Sequence, residues 1–162
     1  MPNFEDILTE RHDAASPISF VIVHRHRQRG GACLPGEEVI GVWLEQPGEP
    51  QLRLSLSLLL LFDHLGKHRW ISQTAAQIEA TMRSDSFYLR HAANIRGTKK
   101  LVRRISRSAV KIYIARIRIA MQLAFAEAGV ALNPAEILVS HSTVSNAVGY
   151  RLHARVRWIH LP

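Results

Sequence analysis

Between Ser108 and Ala128 the apolar residues Val110, Ile114, Ile117 and Met121 recur at i, i+4, i+7 and i+11, which is the spacing of one helix face turned toward a core. Gly129 follows where a helix stop belongs. The pattern therefore predicts a long amphipathic helix from about Ser108 to Ala128. It sits in the most basic part of the chain. From Arg90 through Arg96, Lys99, Lys100, Arg103, Arg104, Arg107, Lys111, Arg116 and Arg118, about half of the 21 Lys and Arg residues fall between Asp85 and Glu127 with no carboxylate among them. A helix docked by an apolar stripe and flanked by cations is suited to a polyanion.

The remaining bounds agree. At 162 residues and 47% hydrophobic content the chain can bury a core, most simply as one domain. A formal net charge of +8 and a pI near 10.5 favour nucleic acid or an anionic surface as partner, although excess charge also serves solubility. Met1 to Asp6 contain no charged-then-apolar leader, and the longest apolar run, Leu58 to Phe62, is too short to span a bilayer. The expectation is a soluble, cytoplasmic protein with no membrane partner. The single cysteine, Cys33, cannot close an intramolecular disulfide.

Residues 1–17 read as a short arm or loose first helix ahead of Pro17. Three β-branched or alternating runs follow, Ile18–His24, Val39–Leu44 and Gln51–Leu54, separated by Gly and Pro, and they predict a small antiparallel sheet over residues 18–54. Ser55 stands at an N-cap position before Leu56, Leu59, Leu60 and Leu65, giving a helix that ends near Gly66 to Arg69. Ser72 is the N-cap candidate for a second helix through Ala75, Ile78 and Met82 to about Ser84, with Glu79 and Arg83 as a surface pair. Asp85 to Ser106 lacks periodicity and reads as a long basic connection. After the helix of residues 108–128, Asn133-Pro134 opens a short helical turn.

Tyr150, Leu152, Ala154, Val156 and Trp158 then alternate with Arg151, His153, Arg155 and Arg157, a period-two pattern that predicts one strand with a basic wet face. Val139–Val144 is its expected partner through a turn at Ser145-Asn146-Ala147. Helix, helix, basic connection, long helix and hairpin is the order of a winged helix. The expected fold class is α+β: a three-helix core with an N-terminal antiparallel sheet and a C-terminal β-hairpin wing, residues 55–162 forming one compact domain with the sheet.

Here the chain resembles the DNA-binding domain of the OmpR/PhoB-type winged-helix response regulators. That family's recognition helix reads approximately Arg-Thr-Val-Asp-Val-His-Ile-x-Arg-Leu-Arg, and Ser108 to Arg118 runs Ser-Ala-Val-Lys-Ile-Tyr-Ile-Ala-Arg-Ile-Arg. Its wing ends in Gly-Tyr-Arg-Leu or Gly-Tyr-Arg-Phe, matched by Gly149-Tyr150-Arg151-Leu152, and Leu54-Ser55 stands where the family has its Leu-Thr helix start. The resemblance covers roughly residues 50–153, or from residue 18 if the preceding sheet, also a trait of the family, is counted. Lys111 replaces an acidic residue and Tyr113 a histidine, so the base-reading set differs. The alternating run past Leu152 extends beyond the family's usual end, leaving Ile18–Val23 or another subunit as its partner. Nothing before Ile18 can supply a receiver domain, so phosphorylation control within the chain is not expected.

The resemblance implies a transcriptional regulator that binds double-stranded DNA in pairs, a homodimer on adjacent half-sites, with RNA polymerase as a further contact of the loop before the recognition helix. It places Tyr113, Ala115, Arg116 and Arg118 on the DNA-facing side of that helix, with Lys111 beside them. Arginine can bridge guanine O6 and N7 in the major groove. For Tyr113, packing and DNA contact both stay open; for Arg118, a solvated helix face and DNA contact do. Arg103, Arg104 and Arg107 lack a base-reading pattern and suit phosphates. Asn146 at the hairpin tip fits either a minor-groove contact or a turn, and Arg151 the backbone.

No metal or cofactor is expected. His64 and His68 have ligand spacing on a helix but no third ligand nearby, and His24-Arg25-His26-Arg27 reads as a basic strand end. Catalysis has no motif, neither Gly-x-Ser-x-Gly nor a phosphate-cradling glycine loop, and a non-enzymatic role is the expectation. The alternative to DNA binding is a protein-interaction or assembly module on the same scaffold. Single-stranded nucleic acid is a weaker third reading, because few aromatics beyond Phe87, Tyr88 and Tyr113 accompany the cations.

Overall fold

The computed structural model describes residues 3–29, 32–89, 105–142, 144 and 146–162, with the backbone alone for 27–29 and 32–36. Helix α1 (Phe4–Ala15) opens the chain on a reciprocal cap, Asn3 bonding the Asp6 amide and Asp6 the Asn3 amide. None of its residues is buried. It is tied down instead by Asp13, which accepts from Arg69 Nε at 2.9 Å and from Trp70 Nε1 at 2.6 Å. Of the two readings of this segment, arm or loose first helix, the helix is found, and it is anchored.

Strands β1 (Ser19–Arg29) and β2 (Ala32–Leu44) form a long antiparallel hairpin. Phe20, Ile22 and His24, two apart and all buried, alternate to one face. The third run, Gln51–Leu54, is not a strand: it makes only a single bridge, Trp43 to Gln51, after a turn in which Gly48 has φ 87°. The third place in the sheet belongs to the far end of the chain.

Helix α2 (Leu56–Lys67) starts at Ser55, whose side chain makes no capping bond. Leu58, Leu60, Leu61, Phe62, Leu65 and Gly66 are all buried, so this helix is covered nearly all round. Phe62 meets Phe20 edge-on with ring centroids 5.2 Å apart. At Gly66 an added Cβ would lie 3.2 Å from Ile22 Cδ1 and 3.4 Å from Val156 Cγ1, which is how α2 approaches the sheet so closely.

A two-residue strand β3 (Gln73–Thr74) leads into α3 (Ala75–Ser84). Its cap is Thr74, not Ser72: Thr74 and Gln77 form the reciprocal box, while the Ser72 hydroxyl lies 3.0 Å from His141 Nε2. Glu79 does not serve Arg83 but accepts from the Arg107 amide at 2.9 Å. Residues 86–89 are helical. The expected basic connection falls mostly on residues 90–104, outside the described residues.

Helix α4 (Arg107–Ala128) begins at Ser106, whose hydroxyl accepts from the Ala109 amide, and ends at Gly129 with φ 69°, a left-handed stop suited to glycine. Val110, Ile114, Ile117 and Met121 are each 0–1% exposed, the stripe read from the sequence. After α5 (Pro134–Ile137), strands β4 (Leu138–Ser142) and β5 (Val148–Leu152) pair as a hairpin with β3 on the other side of β5, in the order β3-β5-β4.

The nine-residue strand expected from Tyr150 to Trp158 is two strands in two sheets. The chain breaks at His153-Ala154, where the His153 amide donates to Ile137 O and Ala154 is fully buried, and β6 (Arg155–Leu161) then runs parallel to β1. Its pairing spans Ser19–Arg25, so Ile18–Val23 is in substance the partner, and the first sheet has the order β2-β1-β6. Alternation alone is blind to this change of sheet, because both halves keep the same period and no Gly or Pro marks the joint. The result is a mixed α+β fold in which one contiguous apolar cluster joins both sheets to α2, α3 and α4.

Two consecutive polar residues of α2 are buried in that cluster, Asp63 and His64, each 0% exposed. Asp63 receives His24 Nε2 at 2.8 Å, Trp158 Nε1 and Tyr88 Oη each at 3.1 Å, and Lys67 Nζ at 3.1 Å. Burial works to raise its pKa, but His24 and Lys67 outweigh that and hold it below the usual value. His64 Nε2 bonds Gln73 Oε1 at 2.8 Å and its Nδ1 has no partner among the described residues, the pattern of a neutral ring.

Candidate nucleic-acid interface

The surface that carries the expected contacts is α4 together with the β4–β5 hairpin. Arg118, half-buried on the flank of α4, joins the two. Its Nε and one terminal nitrogen donate to the Leu138 carbonyl at 2.9 and 2.6 Å, and the same terminal nitrogen donates to Ser140 Oγ at 2.6 Å. Burial lowers its pKa, but a guanidinium stays charged near neutrality. These bonds commit Arg118 to holding the hairpin against the helix.

Arg116 and Lys111 are exposed and make no ion pair among the described residues. Arg107, at the first turn, has its Nε 3.6 Å from Glu79 Oε1, a loose pair that leaves its side chain 71% exposed. Glu79 at this helix N-terminus also complements the dipole. Tyr113 is half-buried and packs against the core cluster. Asn146 is exposed at the hairpin turn with φ 61°, a left-handed conformation that asparagine tolerates better than most residues. Arg151, opposite Val139 on β5, is half-buried, and its Nε–H has no acceptor among the described residues. Arg103 and Arg104 lie outside the described residues.

The solvent face of α4 has a second character that the sequence reading passed over. Ile112, Ile119 and Leu123 are 53%, 63% and 56% exposed. They recur at i, i+7 and i+11, the spacing of Val110, Ile117 and Met121 displaced by two residues, so the signal was present in the same stretch. Arg116 and Lys111 flank this apolar line. No protein-family model, curated protein or solved structure matches the chain.

Proposed function

We propose that this chain is a winged-helix, sequence-specific double-stranded DNA-binding protein that regulates transcription, with α4 as the recognition helix and the β4–β5 hairpin as the wing. The order α2, β3, α3, α4, hairpin, with β3 completing a three-stranded sheet on β5, supports the winged-helix reading. The observation that carries the functional reading is the coupling of α4 to the hairpin through Arg118. It gives one joined unit bearing Lys111 and Arg116 on a helix, which the major groove admits, and Asn146 and Arg151 on a hairpin. Ile112 beside Arg116 is suited to a thymine methyl group. Binding in pairs, and a contact of the preceding loop with RNA polymerase, belong to the same reading.

The test is selection of a preferred duplex from a random pool, followed by fluorescence anisotropy on that site and on random DNA. Arg116→Ala is expected to cost about 1–3 kcal/mol on the selected site and much less on random DNA. Arg103→Ala and Arg104→Ala are expected to weaken both alike. Equal losses for Arg116→Ala on both DNAs would remove α4 as the reader.

The second reading, a protein-interaction module, is favoured by one observation, the exposed Ile112, Ile119 and Leu123. It predicts that Ile119→Asp with Leu123→Asp abolishes a protein contact while DNA adds nothing. If no duplex is enriched from the pool and the double variant alone changes behaviour, this reading replaces the first.

A further inference from the structure

The polar end of the first sheet holds a constellation that DNA binding does not use. His24 and His26 are two apart on β1, Glu37 pairs with His26 across β1 and β2, and His160 pairs with His24 across β1 and β6. Pairing in register and a spacing of two place all four on one face. His24 Nδ1 lies 3.3 Å from Glu37 Oε2, and His160 Nδ1 lies 3.0 and 3.1 Å from the two Glu37 oxygens. One ligand atom from each of these three residues falls within 4.8 Å of the others, and His26 Nε2 is 3.8 Å from Glu37 Oε1.

The orientation of His24 is fixed from behind. Its Nε2 meets Asp63, a fully buried carboxylate that already accepts from Trp158, Tyr88 and Lys67. An ionised carboxylate can only accept, so Nε2 carries the hydrogen and Nδ1 is left to face Glu37. A bare Nδ1 would set lone pair against carboxylate oxygen at 3.3 Å in a site where His24 is 2% exposed. A cation resolves that contact. A proton on the ring would serve one pair of atoms, whereas a metal ion serves two imidazoles and a carboxylate together.

We propose that His24, Glu37 and His160 form a binding site for a divalent transition-metal ion of the zinc class, with His26 within reach as a fourth ligand. Imidazole nitrogen and carboxylate oxygen are among zinc's ordinary donors, and bond lengths near 2.0–2.2 Å at tetrahedral angles put donor atoms about 3.3 Å apart, close to the 3.0–3.3 Å at which His24 and His160 each meet Glu37. Asp63 behind His24 is the carboxylate partner that a metal-bound histidine requires on its other nitrogen. Phe87, stacked on the His24 ring with centroids 5.3 Å apart, covers one side. Glu37 and His160, with side chains 22% and 53% exposed, leave an entry path from solvent. The site departs from the sequence expectation, in which His64 and His68 alone had ligand spacing. Those two face one another at 4.7 Å between centroids, but His64 is engaged with Gln73. Binding at the sheet end does not depend on the DNA reading.

The experiment uses the whole chain, stripped with a chelator and titrated with Zn²⁺ against a chromogenic competitor, then with Co²⁺ to read the visible bands of a tetrahedral site. Wild type is expected to take up about one equivalent per chain. His160→Ala and Glu37→Gln, both partly exposed positions, are expected to weaken uptake by at least about tenfold, since even loss of a ligand's supporting partner costs that much. His12→Ala, on α1, is expected to bind as wild type does. Circular dichroism establishes that each variant is folded. No uptake by folded wild-type chain overturns the proposal and leaves a proton-bridged network in its place. Equal uptake by wild type, His160→Ala and Glu37→Gln overturns it as well, because the metal would then sit on other histidines.

Discussion

Arg116 and Arg118 stand two positions apart on α4 and face unlike surroundings. Arg118 ends in the hairpin, so Arg118→Ala is expected to cost about 1–3 kcal/mol in urea unfolding through loss of charged hydrogen bonds to Leu138 and Ser140. Arg116→Ala is expected to leave that midpoint within about 0.5 kcal/mol, since the side chain is exposed. The sequence placed both on the flank of the apolar stripe but could not show that a carbonyl twenty residues later in the chain would meet one of them. His64 makes a second residue-scale prediction. Burial, with the charge of His68 beside it, lowers its pKa from 6.5 to about 4. The unfolded chain therefore takes up a proton near pH 6.5 that the native chain refuses until about pH 4. This contribution to stability is complete above the unfolded value and lost as pH falls between the two, about 3 kcal/mol in all. Urea midpoints measured from pH 7 to pH 4 should show this slope, and His64→Gln should flatten it.

Elements with a local cause were readable, and those decided at long range were not. The stripe of α4 and its Gly129 stop are properties of one turn after another, and the helix found, Arg107–Ala128, begins one residue before the one read. The cap of α3 was misplaced by two residues although Thr74-x-x-Gln77 carried the signal of a reciprocal box. Thr74→Ala is accordingly expected to cost about 1 kcal/mol in thermal unfolding, whereas Ser72→Ala should touch the hairpin through His141 and leave α3 capped. Gly129→Ala, which forces a Cβ into the left-handed region, is expected to cost about 1 kcal/mol or more in the same measurement. The two halves of the Tyr150–Trp158 run could not be parted from sequence, since their partners, Gln73–Thr74 with Leu138–Ser142 on one side and Ser19–Arg25 on the other, lie far away. His24 likewise read as part of a basic strand end, and only its partner Asp63, 39 positions on, accounts for it as a buried residue.

At the scale of the molecule, a net charge of +8 makes any binding to duplex DNA ionic-strength dependent. With roughly 6–10 phosphate contacts, anisotropy titrations should lose about 10³- to 10⁵-fold in affinity between 50 and 200 mM salt. A flat salt series would favour the protein-module reading. Asp63 and His64, adjacent on α2, reach in different directions, one to His24 and Trp158 of the first sheet and the other to Gln73 of the second. The two sheets are thereby bolted to the same turn of helix. Pairing of β6 with β1 joins residues near 20 to residues near 156, a contact that must wait for nearly all of the intervening chain. On a ribosome, the helices can begin to pack while the β1 edge is still bare. A nascent or prematurely terminated chain lacking Arg155–Leu161 would present that edge, with its unpaired amides and carbonyls, to proteases and to other chains. Docking of β6 is thus the step that closes the β1 edge to other strands.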